Sequence, residues 1–419
     1  MASAIDATLE VPLAPQASWT ANPLVLWLLT EGWNRTDAAE IVQGLCDVME
    51  DENIPIHRVR MILRTMHPQV AGISFTWSKD TKEVKFFSAT HEVMETAAFL
   101  DSPLHPIFEG AAAAIRRQLD TPDATLDFPI LEELIGEGAT DYLVLPITFS
   151  DGQIHAITLT SDRPGGFSDH ELHMITEAVT VLARPVEVFA TKHMARTLLN
   201  TYLGKGSGGR VLNGLIRRGD GVNIHAVIWY CDLRASTSLA ESHPGDAFME
   251  ILNDYFECMA GAVLDNDGEI LRFIGDAVLA IFPIEGCTDH PEKCPAHIGA
   301  CHNAMAAVKD ARERLSAVNE RRHSEEKPTL QCGIGLHLGD VMYGNIGVPD
   351  RLEFTVIGAA ANEASRVETL CKSLERSVLA SADFARVIPG AWVSVGSHAL
   401  RGVREPMEIF ALVDEKPTS

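Results

Sequence analysis

The sequence predicts an α+β fold in two domains, an N-terminal antiparallel-sheet domain and a C-terminal βαββαβ sheet, joined by a helical connector. Three observations carry this. The chain has 419 residues, more than one hydrophobic core usually supports. Between residues 23 and 190 the apolar spacing passes from helical to alternating and back, the order of an α+β domain. From His225 onward, apolar runs and helical patterns succeed each other as strand, helix, hairpin, helix, strand.

Residues 1–22 are rich in Ala, Pro and Ser and read as a loose, disordered tail. From Pro23 to about Thr65 the spacing of Ile41, Leu45, Val48 and Met49, and again of Val59, Ile62 and Leu63, predicts helices. Val70–Trp77, Glu83–Ser88, Tyr142–Phe149 and Ile154–Thr160 read as strands. Ser150-Asp151-Gly152-Gln153 supplies the turn chemistry of a hairpin between the last two. Ser168 with Glu171 forms a capping box that starts a helix. Beyond it Leu172, Ile175, Val179, Leu182, Val186 and Phe189 keep heptad spacing across Pro185, which suits either packing on their own domain or pairing between two chains.

Residues 191–224 read as a flexible connector with Arg217 and Arg218 solvated. Gly204, Gly206 and Gly209 match G-x-G-x-x-G, but no βαβ unit surrounds them, so a dinucleotide site is rejected. In the second domain, 225–415, HAVIWYC ends directly in Asp232. LRFIGDAVLAIF reads as a hairpin with Gly275-Asp276 at its tip, glycine supplying the reversing turn. If these strands are neighbours, the Asp232 and Asp276 carboxylates converge and repel unless a cation intervenes, and oxygen-only ligands suit Mg²⁺ or Mn²⁺. Residues 232–237, DLRAST, form a small polar loop whose N–H groups can cradle phosphates, Thr237 among them. GIGLHLGDVMYGNIG reads as a tight, glycine-punctuated strand pair. In TVIGAAANEASR, Asn362 and Arg366 stand four apart on one helix face.

Composition sets the outer bounds. A formal charge of −24 excludes a general affinity for nucleic acid or anionic membrane, so a phosphate-bearing substrate needs a local basic pocket. Eight scattered cysteines, an acidic start without the basic flank of a secretory signal, and no apolar run of membrane-spanning length predict a cytoplasmic protein. Cys287, His290, Cys294, His297, Cys301 and His302 crowd together, but their spacing matches no closed zinc module and is read as a surface loop with a partly buried helix.

Two resemblances add to this reading. DYLVLPITFSDGQIHAITLTSDRPGGFSDHELHMITEAVTVLA resembles the second half of a GAF domain, which implies that 23–190 is a GAF-like sensory or dimerisation domain with a possible small-molecule ligand. No ligand signature is visible; His67, His91, His105 and Cys46 read as structural. The chain from His225 to about Leu412 resembles the catalytic domain of class III nucleotidyl cyclases, built on a ferredoxin-like βαββαβ sheet. That resemblance implies cyclisation of ATP to 3′,5′-cyclic AMP and pyrophosphate by a head-to-tail homodimer with two Mg²⁺ or Mn²⁺ per site. It assigns metal binding to Asp232, Asp276 and the Leu233 carbonyl, ribose and α-phosphate contacts to Asn362 and Arg366, base selection to Arg272 and Thr355, and triphosphate binding to Arg401.

Departures from the family pattern keep GTP or a pyrimidine triphosphate, or a catalytically degenerate nucleotide-binding regulator, as alternatives. Arg272 and Arg401 stand where the family usually has lysines, and an Arg fork is no substitute for an ammonium. Ala235-Ser236 replaces the usual Gly-Phe. A diguanylate cyclase is disfavoured because its Gly-Gly-Asp/Glu-Glu-Phe run is missing.

Overall fold

The computed structural model describes residues 22–284 and 294–413 and divides into two units, 1–198 and 199–419. Unit 1 opens with α1 (Pro23–Thr30) and α2 (Ala38–Asp51). Asn22, expected in the tail, caps α1 by accepting from the Leu24 N–H at 3.0 Å. The rest of the predicted tail lies outside the described residues. Then follow β1 (Arg58–Arg64), β2 (Val70–Ser78), β3 (Glu83–Thr90), α3 (Ala97–Leu100), α4 (Leu104–Phe108), β4 (Ile115–Gln118), α5 (Ile130–Gly136), β5 (Asp141–Thr148) and β6 (Ile154–Ser161). They form a six-stranded antiparallel sheet in the order β3-β2-β1-β6-β5-β4.

The helix expected over Val59–Leu63 is strand β1 instead. Val59, Met61 and Leu63 enter the core while Arg58, Arg60 and Arg64 take the other face, a period of two that the adjacent pair Ile62-Leu63 obscures. The 150–153 hairpin forms as expected, with Phe149 N–H donating to the Gln153 carbonyl at 3.0 Å. The capping box also forms, Ser168 N–H donating to Glu171 at 2.7 Å. It opens α6 (Asp169–Leu203), whose Ile175, Val179, Leu182 and Val186 are buried in unit 1's own core with α1, α2 and one sheet face. Those seam positions therefore pack within the domain.

Residues 191–224 lie mostly in two helices and the start of a strand. After α6 ends, Gly204 turns the chain at φ +86° into α7 (Lys205–Leu212). The buried Ser207 hydroxyl meets Tyr343 Oη at 2.9 Å. A Cβ on Gly206 would lie 2.0 Å from the Glu269 carboxylate, so this glycine serves close packing.

Unit 2 continues with β7 (Gly221–Leu233), α8 (Ser236–Ser242), α9 (Gly245–Asp265), β8 (Glu269–Ile274), β9 (Ala277–Ile284), α10 (Pro295–Ser324), β10 (Cys332–Val348), β11 (Arg351–Ile357), α11 (Ala359–Ser373), β12 (Val378–Ser381), α12 (Ala382–Val387), β13 (Trp392–His398) and β14 (Met407–Leu412). The sheet order is β13-β14-β12-β10-β7-β9-β8, with β11 paired to β10. The inner four strands, β10-β7-β9-β8, take the fourth, first, third and second places of a βαββαβ unit. Residues 333–347, expected as a strand pair, belong to the single long strand β10, which turns back into β11 only beyond Val348. Helices cover both sheet faces. Val227, Trp229 and Cys231 of β7 pack with α9 and α10, while Ala226 and Ile228 pack with α11 on the other side. Among the described residues no helix is long and apolar enough to cross a membrane, and the seven described cysteines are buried and unbridged.

Candidate functional site

Strands β7 and β9 are antiparallel neighbours with Asp232 opposite Ala277, which brings Asp232 beside the β8–β9 turn. Gly275 makes that turn at φ +64° and leaves Asp276 at its tip, as the sequence predicts. The two carboxyls are near enough for the charge on one to raise the pKa of the other. Burial first, then the Asp276 carboxylate, pushes Asp232 up to about 6, and Asp232 Oδ1 is buried with no hydrogen-bond partner among the described residues. Leu233, next along β7, is buried.

A third carboxylate, missed in the sequence, stands behind this pair. Glu368 of α11 is 3% exposed and forms an ion pair with Arg234 at 3.0 Å. Burial pushes Glu368 up to about 7, Arg234 opposes the rise, and Asp232 and Asp276 add to it. The legible signal was a lone acid within the apolar stripe Ala360, Ala364, Val367, Cys371. Helix α11 approaches the sheet this closely because β10 presents glycines: a Cβ on Gly335 would lie 2.5 Å from the Glu368 nitrogen and 2.6 Å from the Ala364 carbonyl oxygen.

The remaining predicted residues fall elsewhere. Asn362 and Arg366 do share one face of α11, and with Arg401 they line a cavity of about 480 Å³ that Asp232 and Asp276 do not line. Arg366 Nε is buried without a partner among the described residues. Arg272 on β8 does not engage Thr355; its guanidinium holds the Glu353 carboxylate of β11 at 2.5 Å on both oxygens. Thr355, two residues along the same strand, is 4% exposed with its hydroxyl unpartnered among the described residues. Glu353 was invisible in the sequence because β8 and β11 meet only through tertiary folding. Thr237 is exposed in the first turn of α8. Just before it, Ala235 adopts a left-handed conformation, φ +56°, where the family pattern has glycine.

Asp232, Leu233, Arg234 and Ala235 also line a cavity of about 730 Å³ whose other walls include Arg312, Lys372 and Arg376. A locally basic pocket of this kind is what a phosphate-bearing substrate needs in so acidic a chain. Of the Cys/His run, Cys287 and His290 lie outside the described residues; His297 and Cys301 are buried in α10. Among the described residues no three His, Cys, Asp or Glu side chains are grouped as a metal cage.

Residues 223–413 match the family model of the adenylate and guanylate cyclase catalytic domain. By that match the second unit is similar to nucleotide cyclase catalytic domains. Among individual relatives, an adenylate cyclase of Anabaena cylindrica is 35% identical over 162 residues, covering 38% of this chain and 30% of the relative. An uncharacterized protein of Mycobacterium tuberculosis is 31% identical over 193 residues, 45% of this chain and 32% of that protein. The chain thus matches about a third of the length of the curated relatives. The crystal structure of the adenylyl cyclase CyaB from P. aeruginosa aligns with a TM-score of 0.41 at 23% identity, covering 48% of this chain and 98% of that one.

Proposed function

We propose that the chain is a nucleotide cyclase converting ATP to 3′,5′-cyclic AMP and pyrophosphate in a head-to-tail homodimer. The observation that carries the reading is the convergence of Asp232 and Asp276 at one strand end, with an orphaned buried oxygen on Asp232. Two carboxylates forced together this way fit a hard divalent cation, and bound Mg²⁺ or Mn²⁺ supplies charge neutralisation on the triphosphate and acidification of the ribose 3′-OH. Asp232, Asp276 and the Leu233 carbonyl would hold the ions.

Asn362 and Arg366 line a different cavity of the same chain, so a second copy brings them to the aspartates. There the Asn362 amide orients the ribose, and Arg366 donates two parallel hydrogen bonds to α-phosphate oxygens as charge builds on them. Arg401, beside them, takes the outer phosphates. The loop from Leu233 to Thr237 meets the triphosphate with backbone N–H groups. The enzyme acts chiefly by holding the 3′-oxygen in line with the α-phosphorus. Residues 23–190 are read as a GAF-like regulatory domain, and the protein as cytoplasmic.

Subunit complementation tests the arrangement. Asp276→Ala and Arg366→Ala should each abolish cyclic AMP formation from MnATP, whereas a 1:1 mixture should recover about a quarter of wild-type activity, since half the dimers are mixed and each carries one intact site. No recovery from two folded, dimeric variants would overturn the shared site.

The Arg272–Glu353 fork favours a second reading, cyclisation of another triphosphate. Glu353 presents an acceptor and Thr355 a free hydroxyl, a pair that also suits guanine. Comparing products from the four common triphosphates separates the two.

A further inference from the structure

Strand β1 lies between β2 and β6 at the centre of the unit 1 sheet, yet it presents Arg58, Arg60 and Arg64 to one face. That face floors a cavity of about 250 Å³ walled by apolar and aromatic side chains, Phe99, Leu104, Phe108 and Tyr142 among them. Two of the three arginines are accounted for. Arg58 donates to both oxygens of Glu137 at 3.2 and 3.0 Å, and Arg64 stacks over the Phe108 ring, 5.7 Å from its centroid. Arg60 is different. Its Nη2 donates to the buried Ser74 hydroxyl at 3.2 Å, its Nε is buried without a partner, and it makes no ion pair among the described residues. A guanidinium in a largely apolar enclosure with no anion in contact is costly to keep.

We propose that this cavity binds a small organic anion, an aromatic or short branched body carrying one carboxylate or phosphate head, with Arg60 gripping the head through its planar fork. The Thr158 and Tyr142 side chains, both buried beside the cavity, stand ready to complete the polar end. The aromatic walls take the body, which inorganic ions lack. Only the purpose of such a ligand rests on reading unit 1 as regulatory, and its binding is measured without nucleotide, so failure of either idea shows separately.

Calorimetric titration of the full chain with benzoate, phenyl phosphate, benzyl alcohol and inorganic phosphate tests the site. Benzoate or phenyl phosphate, whichever head the cavity fits, should bind at least tenfold tighter than either benzyl alcohol or inorganic phosphate. Arg60→Met should erase that preference, while Lys85→Met, an equal charge loss at an exposed position of the same sheet outside the cavity lining, should change affinity less than threefold. In the absence of ligand, Arg60→Met should melt no lower than wild type, as expected when an unpaired charge is removed. Equal weakening in both variants, no preference for an anion, or a lower melting temperature for Arg60→Met with benzoate binding unchanged would each overturn the proposal. Should Arg60→Met fail to fold, Arg60→Lys serves in its place: it keeps the charge but loses the fork, and unchanged benzoate affinity there would also count against it.

Discussion

The two units leave opposite charges uncompensated. In unit 1 the surplus is a guanidinium, Arg60, on the central strand of a sheet facing an apolar cavity. In unit 2 it is a set of carboxylates, Asp232, Asp276 and Glu368, of which Glu368 alone makes an ion pair, with Arg234, among the described residues. Folding alone favours neither arrangement, because removing a charge from water costs more than an incomplete set of partners returns. What the contrast teaches is how to tell a structural ion pair from a waiting one. Arg234 and Glu368 form an ion pair with each other, while Arg60 and the two aspartates make no ion pair among the described residues.

Breaking the Arg234–Glu368 ion pair should have the largest effect on stability. Arg234→Met strands Glu368 beside two other acids and should cost about 3–5 kcal/mol in urea unfolding of unit 2, with most of the loss restored in Arg234→Met/Glu368→Leu. A single variant as stable as wild type would put the pair among the waiting charges.

Acid and base should then separate the units. Asp232 and Glu368 hold their protons to about 6 and 7 in the native state, above their ordinary values. The folded form therefore binds more protons than the unfolded chain between about pH 4 and 7, and metal-free unit 2 should lose stability as pH rises through that window. Added Mn²⁺ should reverse the loss. His155 in unit 1 is the mirror case: burial lowers it to about 4, so the unfolded chain binds the extra proton and stability falls as pH drops from 6.5 toward 4, by at most about 3 kcal/mol. Melting curves from pH 4 to 8, with and without Mn²⁺, should show the two transitions moving in opposite directions; parallel movement would dissolve the contrast.

The smallest effect expected is a gain. Ala235 holds φ +56° in an exposed loop, so Ala235→Gly should stabilise unit 2 by about 1 kcal/mol, read as a higher urea midpoint. An unchanged midpoint would mean that the left-handed turn is not strained.

Much of unit 2 was legible because its signals are local. Gly275-Asp276 marks its own hairpin, and Asn362 and Arg366 mark a helix face by spacing alone. What escaped depends on neighbours distant in the chain: Glu353 against Arg272 across β11 and β8, and Glu368 against Arg234. In unit 1 the reading failed where two periods compete. RVRMILR offers Val59, Ile62 and Leu63 to a helix and Val59, Met61 and Leu63 to a strand, and the sheet on either side decided it. The arginines that occupy the alternate positions were the clue, since an amphipathic strand explains them and a buried helix does not. The short elements α3, α4 and α5, which flank the cavity, carry too few residues to show any period.

Gly335 carries no chemistry, yet it sets how near α11 comes to β10. A methyl group there would act as a wedge, lifting the helix that bears Arg366 while every polar atom on either side stayed intact. Variants of this kind would keep their full complement of reactive groups and still be silent, a class of inactivating change that a survey confined to charged and polar positions would pass over.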